Sequence, residues 1–295
     1  MMGISAKLVM ELRAKTGAGM MDCKKALVEK NGDLEAAIVY LREKGISKAA
    51  KKASRITSEG SVFVLISDDN KTGVMIEFNS ETDFVTKNDE FNNFGENLTK
   101  IVLENEVNSV EDLKAIKMAG GASVEETLQT LIAKIGENMS IRRFKKVVSS
   151  GFVCSYLHMG GNIGVILALD GEFNDENLVK ATDIAMHSAA MAPNYFDKSE
   201  VTEEEMAKER EILRNQLIEQ GKPEKIIDNI LIGKMNKFFE ENCLLQQKFV
   251  KDDKKTVAEY AGSLKIISAD RFKVGDGIEK KEENFAEEVA AQMKG

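Results

Sequence analysis

Glu77-Phe78-Asn79-Ser80-Glu81-Thr82-Asp83-Phe84-Val85-Thr86-Lys87-Asn88 is the stretch on which the reading of this chain turns. Upstream of it, Gly73-Val74-Met75-Ile76-Glu77-Phe78 has the apolar, β-branched character of a strand. Downstream, Asn88-Asp89 supplies the polar side chains that cap a helix. Between the two lies Thr82-Asp83-Phe84-Val85, an acid beside an aromatic on a connection between rigid elements. Connections run over the surface, whereas phenylalanine prefers burial. Two readings of Phe84 follow: the ring folds back into its own core, or it is a wedge for a partner's pocket with Asp83 beside it.

Strand, turn and helix recur further along. Gly60-Ser61-Val62 is followed thirteen residues later by Gly73-Val74-Met75, and Gly151-Phe152-Val153, again thirteen later, by Gly164-Val165-Ile166. Each pair reads as a hairpin, turning at Asp68-Asp69-Asn70 and at Gly160-Gly161-Asn162. Helical sequence follows both, over 89–104 and 175–190. The spacing predicts a duplicated α+β core of small antiparallel sheets with helices on one face. The first copy adds a helix opened by the capping box Ser123-Val124-Glu125-Glu126 and a strand at Ile141–Phe144.

Residues 4–45 predict three short helices. Ser5 caps the first, Asn31-Gly32 stops the second, and Asp33 caps a third that ends at Lys44-Gly45. Met20 and Met21 open the second, and adjacent helical positions cannot both face one core, so at least one is exposed. Lys48–Arg55 then makes a basic connection or helix tail. An inserted antiparallel helical hairpin is expected over 197–241, with Met206, Ile212, Leu213 and Leu217 facing Ile226, Ile230, Leu231 and Met235. Strands at Phe249-Val250 and Arg271–Val274, a helix capped by Thr256 and a C-terminal helix over 282–293 complete the chain.

Composition narrows the function. With 295 residues and 43% apolar content the chain can bury more than one core. Its net charge of −8 disfavours nucleic acid as partner. No stretch reads as a signal peptide or a membrane span, and three scattered cysteines suit a reducing compartment. No P-loop is present, and neither His158 nor His187 has cysteine or carboxylate at metal-ligand spacing. Catalytic residues, metal and cofactor are therefore expected to be none.

Taken in order, several motifs carry a resemblance. They are Glu11-Leu12-Arg13 with Thr16–Leu27 (Thr-Gly-Ala-Gly-Met-Met-Asp-Cys-Lys-Lys-Ala-Leu), Thr82–Val85, Lys134–Asn138 with Ile141-Arg142-Arg143, Ser155-Tyr156 with His158, Gly164-Val165, Gly275–Lys280, and Phe285-Ala286. Together they resemble bacterial elongation factor Ts, the nucleotide-exchange factor of elongation factor Tu.

The resemblance implies a UBA-like bundle over 1–55, core subdomains over 56–146 and over 147–196 with 242–276, the inserted hairpin, and a C-terminal helical module over 277–295. It further implies a cytoplasmic exchange factor, not an enzyme, that binds elongation factor Tu in GDP-bound and nucleotide-free forms and disturbs its Mg²⁺ and phosphate site. A homodimer or 2:2 complex is left open. The residues implied in partner binding are Thr82, Asp83, Phe84 and Val85 for the metal-side wedge, with Arg13, Met20, Met21, Ile135, Gly136 and His158 elsewhere. Two rivals stand beside this reading: a scaffold that binds loaded and empty partner alike, and an enzyme acting without any GTPase.

Overall fold

The computed structural model describes residues 4–279. It opens with α1 (Ala6–Thr16), α2 (Met20–Glu29) and α3 (Leu34–Ala50). Ser5 and Asp33 cap α1 and α3 through side-chain oxygens that accept from Leu8 N–H and Ala36 N–H. Val9, Leu12, Cys23, Ala26, Leu27 and Ala37 are the buried residues of this bundle. The third helix runs past Gly45, where the sequence had set its end. Gly45 is buried, and a Cβ built there would sit 3.7 Å from that of Ala133. A Cβ would fit there in ordinary contact, so the helix continues because α3 packs against the residues around Ala133, and that packing overrides the residue's poor helix propensity.

Next come β1 (Glu59–Ile66), β2 (Thr72–Ser80), a single 3-10 turn over Asp83–Lys87, and α4 (Asp89–Glu104). Then follow α5 (Val110–Ala115), which the sequence reading lacked, α6 (Val124–Ile135) and β3 (Met139–Val148). The second strand–strand–helix run is β4 (Phe152–His158), β5 (Ile163–Asp170) and α7 (Asp175–Met191). After it come α8 (Glu203–Glu219), α9 (Glu224–Asn242), β6 (Lys248–Phe249), β7 (Asp252–Thr256), α10 (Val257–Ala261) and β8 (Lys265–Lys273). The chain is thus α+β. Its sheets run β1-β2-β3, β4-β5-β8 and β6-β7, with β4 and β5 antiparallel and Phe152 opposite Leu169.

Two compact units emerge. Among the described residues the first comprises 4–63, 76–144 and 273–279, and the second 64–75 and 145–272. In the first, Phe78 stacks on Phe91 at 4.5 Å and tilts against Phe94 at 5.3 Å. In the second, Phe152, Leu167, Leu169, Ile184, Ala185 and Phe249 belong to one buried cluster.

Three expectations are corrected within the second unit. Strand β8 begins at Lys265 rather than at Arg271, and β6 ends at Phe249, leaving Val250 outside it and 55% exposed. In the α8/α9 pair the buried residues are Leu217, Ile227, Leu231 and Met235, whereas Ile212 and Ile226 point to solvent. Apolar residues on adjacent positions left the face of α9 ambiguous by one residue, and packing selected Ile227. The expected helix over 282–293 lies outside the described residues.

Candidate functional site

β2 delivers the chain to the site along a wholly buried run. Glu77, Phe78, Asn79 and Ser80 are all 0% exposed, although three of the four are polar. Such burial calls for partners: Ser80 Oγ donates to the Thr82 carbonyl at 2.8 Å, while Asn79 Oδ1 finds none among the described residues. The Glu77 carboxylate accepts from Arg142 Nη1 at 2.9 Å, Arg143 Nε at 2.7 Å, Asn79 Nδ2 at 3.2 Å and the Gly275 N–H at 2.9 Å. Arg142, Asn79 and Gly275 converge on Oε1 and Arg143 takes Oε2, so both oxygens are engaged and the charge is offset. Gly275 sits at φ +70°, and a Cβ there would collide with the Ser58 carbonyl oxygen. Only glycine brings its N–H to Glu77 at that position. The base of the site is therefore rigid.

Beyond Ser80 the chain turns outward. Val85, 4% exposed, is the apolar anchor of the 3-10 turn. Thr86 Oγ1 donates to the Asp83 carbonyl at 2.7 Å, Asn88 N–H to the Val85 carbonyl at 2.9 Å, and Asn92 Nδ2 to the Thr86 carbonyl at 2.9 Å. Asn88 then caps α4 through its side chain, which accepts from Glu90 N–H at 2.8 Å. With Val85 pointing inward, Phe84 points out, and it is 75% exposed. The Lys87 ammonium lies 5.8 Å from the ring centroid. Asp83 beside it is exposed as well. Of the two readings of Phe84, burial in its own core is excluded for this fold.

Ile135 and Gly136 end α6 next to this turn. Gly136 takes the left-handed conformation (φ +93°) that closes the helix, its N–H donating to the Ile132 carbonyl at 2.9 Å. The following Glu137 carboxylate accepts from both the N–H and the hydroxyl of Thr82, each at 2.9 Å. The Thr82–Val85 run and the Ile135-Gly136 turn are thus brought together.

The bundle carries the remaining candidates of the first unit. Arg13 is exposed on α1, while Met20 and Met21 begin α2 and are 43% and 62% exposed. Two neighbouring methionines open to water offer a flexible, polarisable contact surface. Beside them lies a cavity of about 490 Å³ lined by α1–α3 and α6, with Lys15, Asp22, Arg42, Lys48, Glu126 and Lys134 on its walls. Its cations are largely spent in ion pairs, Lys48 with Asp22 at 3.0 Å, Arg42 with Glu126 and Lys134 with Glu90. The cavity marks where the bundle meets α6 rather than a charged site awaiting a ligand.

His158 belongs to the second unit, where it is exposed at the end of β4 with Nδ1 3.1 Å from the Tyr156 hydroxyl. The other histidine, His187, is fully buried on α7. Its Nδ1 accepts from Val250 N–H at 3.1 Å, so its Nε2–H is the donor to Gln247 Oε1 at 3.0 Å. Burial holds its pKa below 6.5, against the opposing pull of the Gln247 hydrogen bond. This imidazole is a neutral structural group. Cys243 is inert in the same sense, its thiol pushed up to about 11 chiefly by burial.

Sequence reading missed Glu81 and Glu137. Each is a carboxylate inside a stretch already quoted, Glu77–Asn88 and Lys134–Asn138, and was given no role of its own there. Among the described residues no group of three His, Cys, Asp or Glu side chains is arranged to hold a metal ion. No helix among them is long and apolar enough to cross a membrane.

Comparison with known proteins adds an independent line. A family model described as "Elongation factor TS" matches residues 81–276. A protein of Halothermothrix orenii named elongation factor Ts is 49% identical, with 99% of each chain covered. One of the same name from a Nitratiruptor species is 50% identical over 99% of this chain and 100% of its own. A third, from Clostridium perfringens, is 49% identical over 97% of this chain and 98% of its own.

Proposed function

The chain belongs to the elongation factor Ts family, and from that premise we propose that it drives GDP from elongation factor Tu by inserting Phe84 near the partner's Mg²⁺ and phosphate site. The family's place is in translation elongation, as a nucleotide-exchange factor. The observation that carries the finer reading is the 75% exposure of Phe84 on a turn whose next residue, Val85, is buried. A large ring held out beside a buried, anchored neighbour is placed to enter a partner's pocket.

A guanine nucleotide is gripped partly through a metal ion bridging its phosphate oxygens to protein ligands. Displacing the segments that hold that metal weakens the grip without contact to the nucleotide. Reciprocity then requires GDP to weaken binding of the factor by the same free energy. Asp83 supplies a charge or hydrogen bond beside the ring. Arg13, Met20 and Met21 grip the GTPase domain through a UBA-like bundle, and Ile135, Gly136 and His158 add contacts from the core. The duplicated core, the hairpin over 197–241 and the C-terminal helical module over 277–295 belong to the same reading, as does a cytoplasmic setting. The chain needs no catalytic side chain for this work.

Stopped-flow release of labelled GDP from elongation factor Tu tests it. Acceleration by the intact chain, with calorimetric affinity higher for nucleotide-free than for GDP-bound partner, is the expected result. Equal affinities and an unchanged release rate would leave only a scaffold.

A further inference from the structure

The two connections that carry the core contact residues are tied together by exchanged carboxylates. Glu81, just before Thr82, reaches over to accept the backbone N–H of Asn138 at 2.5 Å. Glu137, just after Gly136, reaches back to accept the N–H of Thr82 at 2.9 Å and the Thr82 hydroxyl at 2.9 and 3.1 Å. Each carboxylate satisfies a backbone donor of the opposite connection, and charged acceptors make the stronger class of hydrogen bond.

The segment leaving α3 is gathered into the same knot. Asn138 Nδ2 donates to the Arg55 carbonyl at 2.8 Å, the Arg55 guanidinium lies 3.4 Å from both Glu81 oxygens, and Lys52 Nζ donates to the Gly136 carbonyl. Only 21% of the Glu81 side chain is exposed, so water competes poorly for it.

We propose that Glu81 and Glu137 are positioning residues for Phe84: the crossed carboxylates fix the entry of the 3-10 turn so that the ring meets the partner in one orientation. The proposal rests on the wedge reading above. Its physical basis is preorganisation. A ring presented by a yielding loop spends part of its binding energy on ordering the loop, and that part is lost to the displacement it performs. Loosening the brace leaves the bundle's contacts in place. The maximal rate of stimulated release therefore falls, while the concentration giving half of that maximum changes little.

The test uses the full-length protein with elongation factor Tu bound to labelled GDP. Glu137→Ala is expected to speed hydrogen exchange of the Thr82 amide by about tenfold or more. It should also lower the maximal release rate by about tenfold, with the half-saturating concentration held within about threefold. Glu137→Gln keeps one oxygen acceptor and should recover most of both effects; if Glu137→Ala fails to fold, Glu81→Ala, which removes the acceptor of the Asn138 N–H, is read the same way through the Asn138 amide and the release rate. Combined with Phe84→Ala, Glu137→Ala should cost nothing further, because both act through one ring.

Unchanged exchange of the Thr82 amide would overturn the brace. Faster amide exchange with undiminished GDP release would overturn its positioning role, as would a loss that adds in full to that of Phe84→Ala. Phe84→Ala by itself, releasing GDP at the normal rate, would instead sink the wedge reading on which the proposal rests, while the Thr82 amide would still report whether the brace forms.

Discussion

Truncating Phe84 to alanine separates a wedge from a core residue. The side chain is 75% exposed and its neighbour Val85 carries the burial, so its removal takes little packing away from the isolated protein. Stability should change by no more than about 0.5 kcal/mol, the usual range for a surface position. Fully burying a phenylalanine is worth about 1.5–3 kcal/mol. With three quarters of the ring still to be buried, a partner pocket would gain about 1–2 kcal/mol, or roughly five- to thirty-fold in rate if the contact is made in the transition state. Stopped-flow GDP release and thermal unfolding on the same preparation read both quantities. Phe91→Ala is the control, since that ring is fully buried and its loss should cost about 3–5 kcal/mol of stability. If Phe84→Ala destabilised the protein as Phe91→Ala does, or left release untouched, the argument from exposure would be wrong.

Met20 and Met21 replaced together by alanine should raise the half-saturating concentration for elongation factor Tu while moving the melting temperature little, since both are exposed; a large fall in melting temperature would place them in the bundle core. Glu77→Ala removes the shared acceptor of Arg142, Arg143 and the Gly275 N–H. That leaves the buried Gly275 N–H without its acceptor and should cost about 1–3 kcal/mol in denaturant unfolding, whereas no measurable cost would contradict the clamp. His187 gives a pH signature: its folded pKa is lowered, so between that value and the unfolded 6.5 only the unfolded chain takes up the proton. Its contribution is complete above about pH 6.5 and is lost as pH falls below it, by up to about 1.4 kcal/mol per pH unit. His187→Gln should flatten that limb of the stability–pH curve, and an unchanged slope would refute the assignment. Cys243, fully buried with its thiol at about 11, should resist alkylation in the native protein at pH 8 and react on unfolding.

What the sequence determined by itself was local. Ser5, Asp33, Asn88, Ser123 and Thr256 all cap the helices they were expected to cap, through side chains that accept from backbone N–H groups two or three residues on. Both hairpins and the helix after each were legible for the same reason, since alternation and turn chemistry act over a few residues. The family was legible because short motifs recur in order along nearly the whole chain.

Tertiary structure decided the rest. Gly45 reads as a stop, yet stays helical because Ala133 packs against it. Ile226 and Ile227 are chemically alike, and only the partner helix buries one and exposes the other. The orientation of Phe84 depends on whether anything folds over its turn, a question no local pattern answers. Glu137 and Thr82 lie 55 positions apart, and Glu81 and Asn138 lie 57 apart. A carboxylate declares no partner in sequence: solvated it is an ordinary surface charge, and it becomes a brace only where the fold brings a backbone N–H within reach and keeps water away.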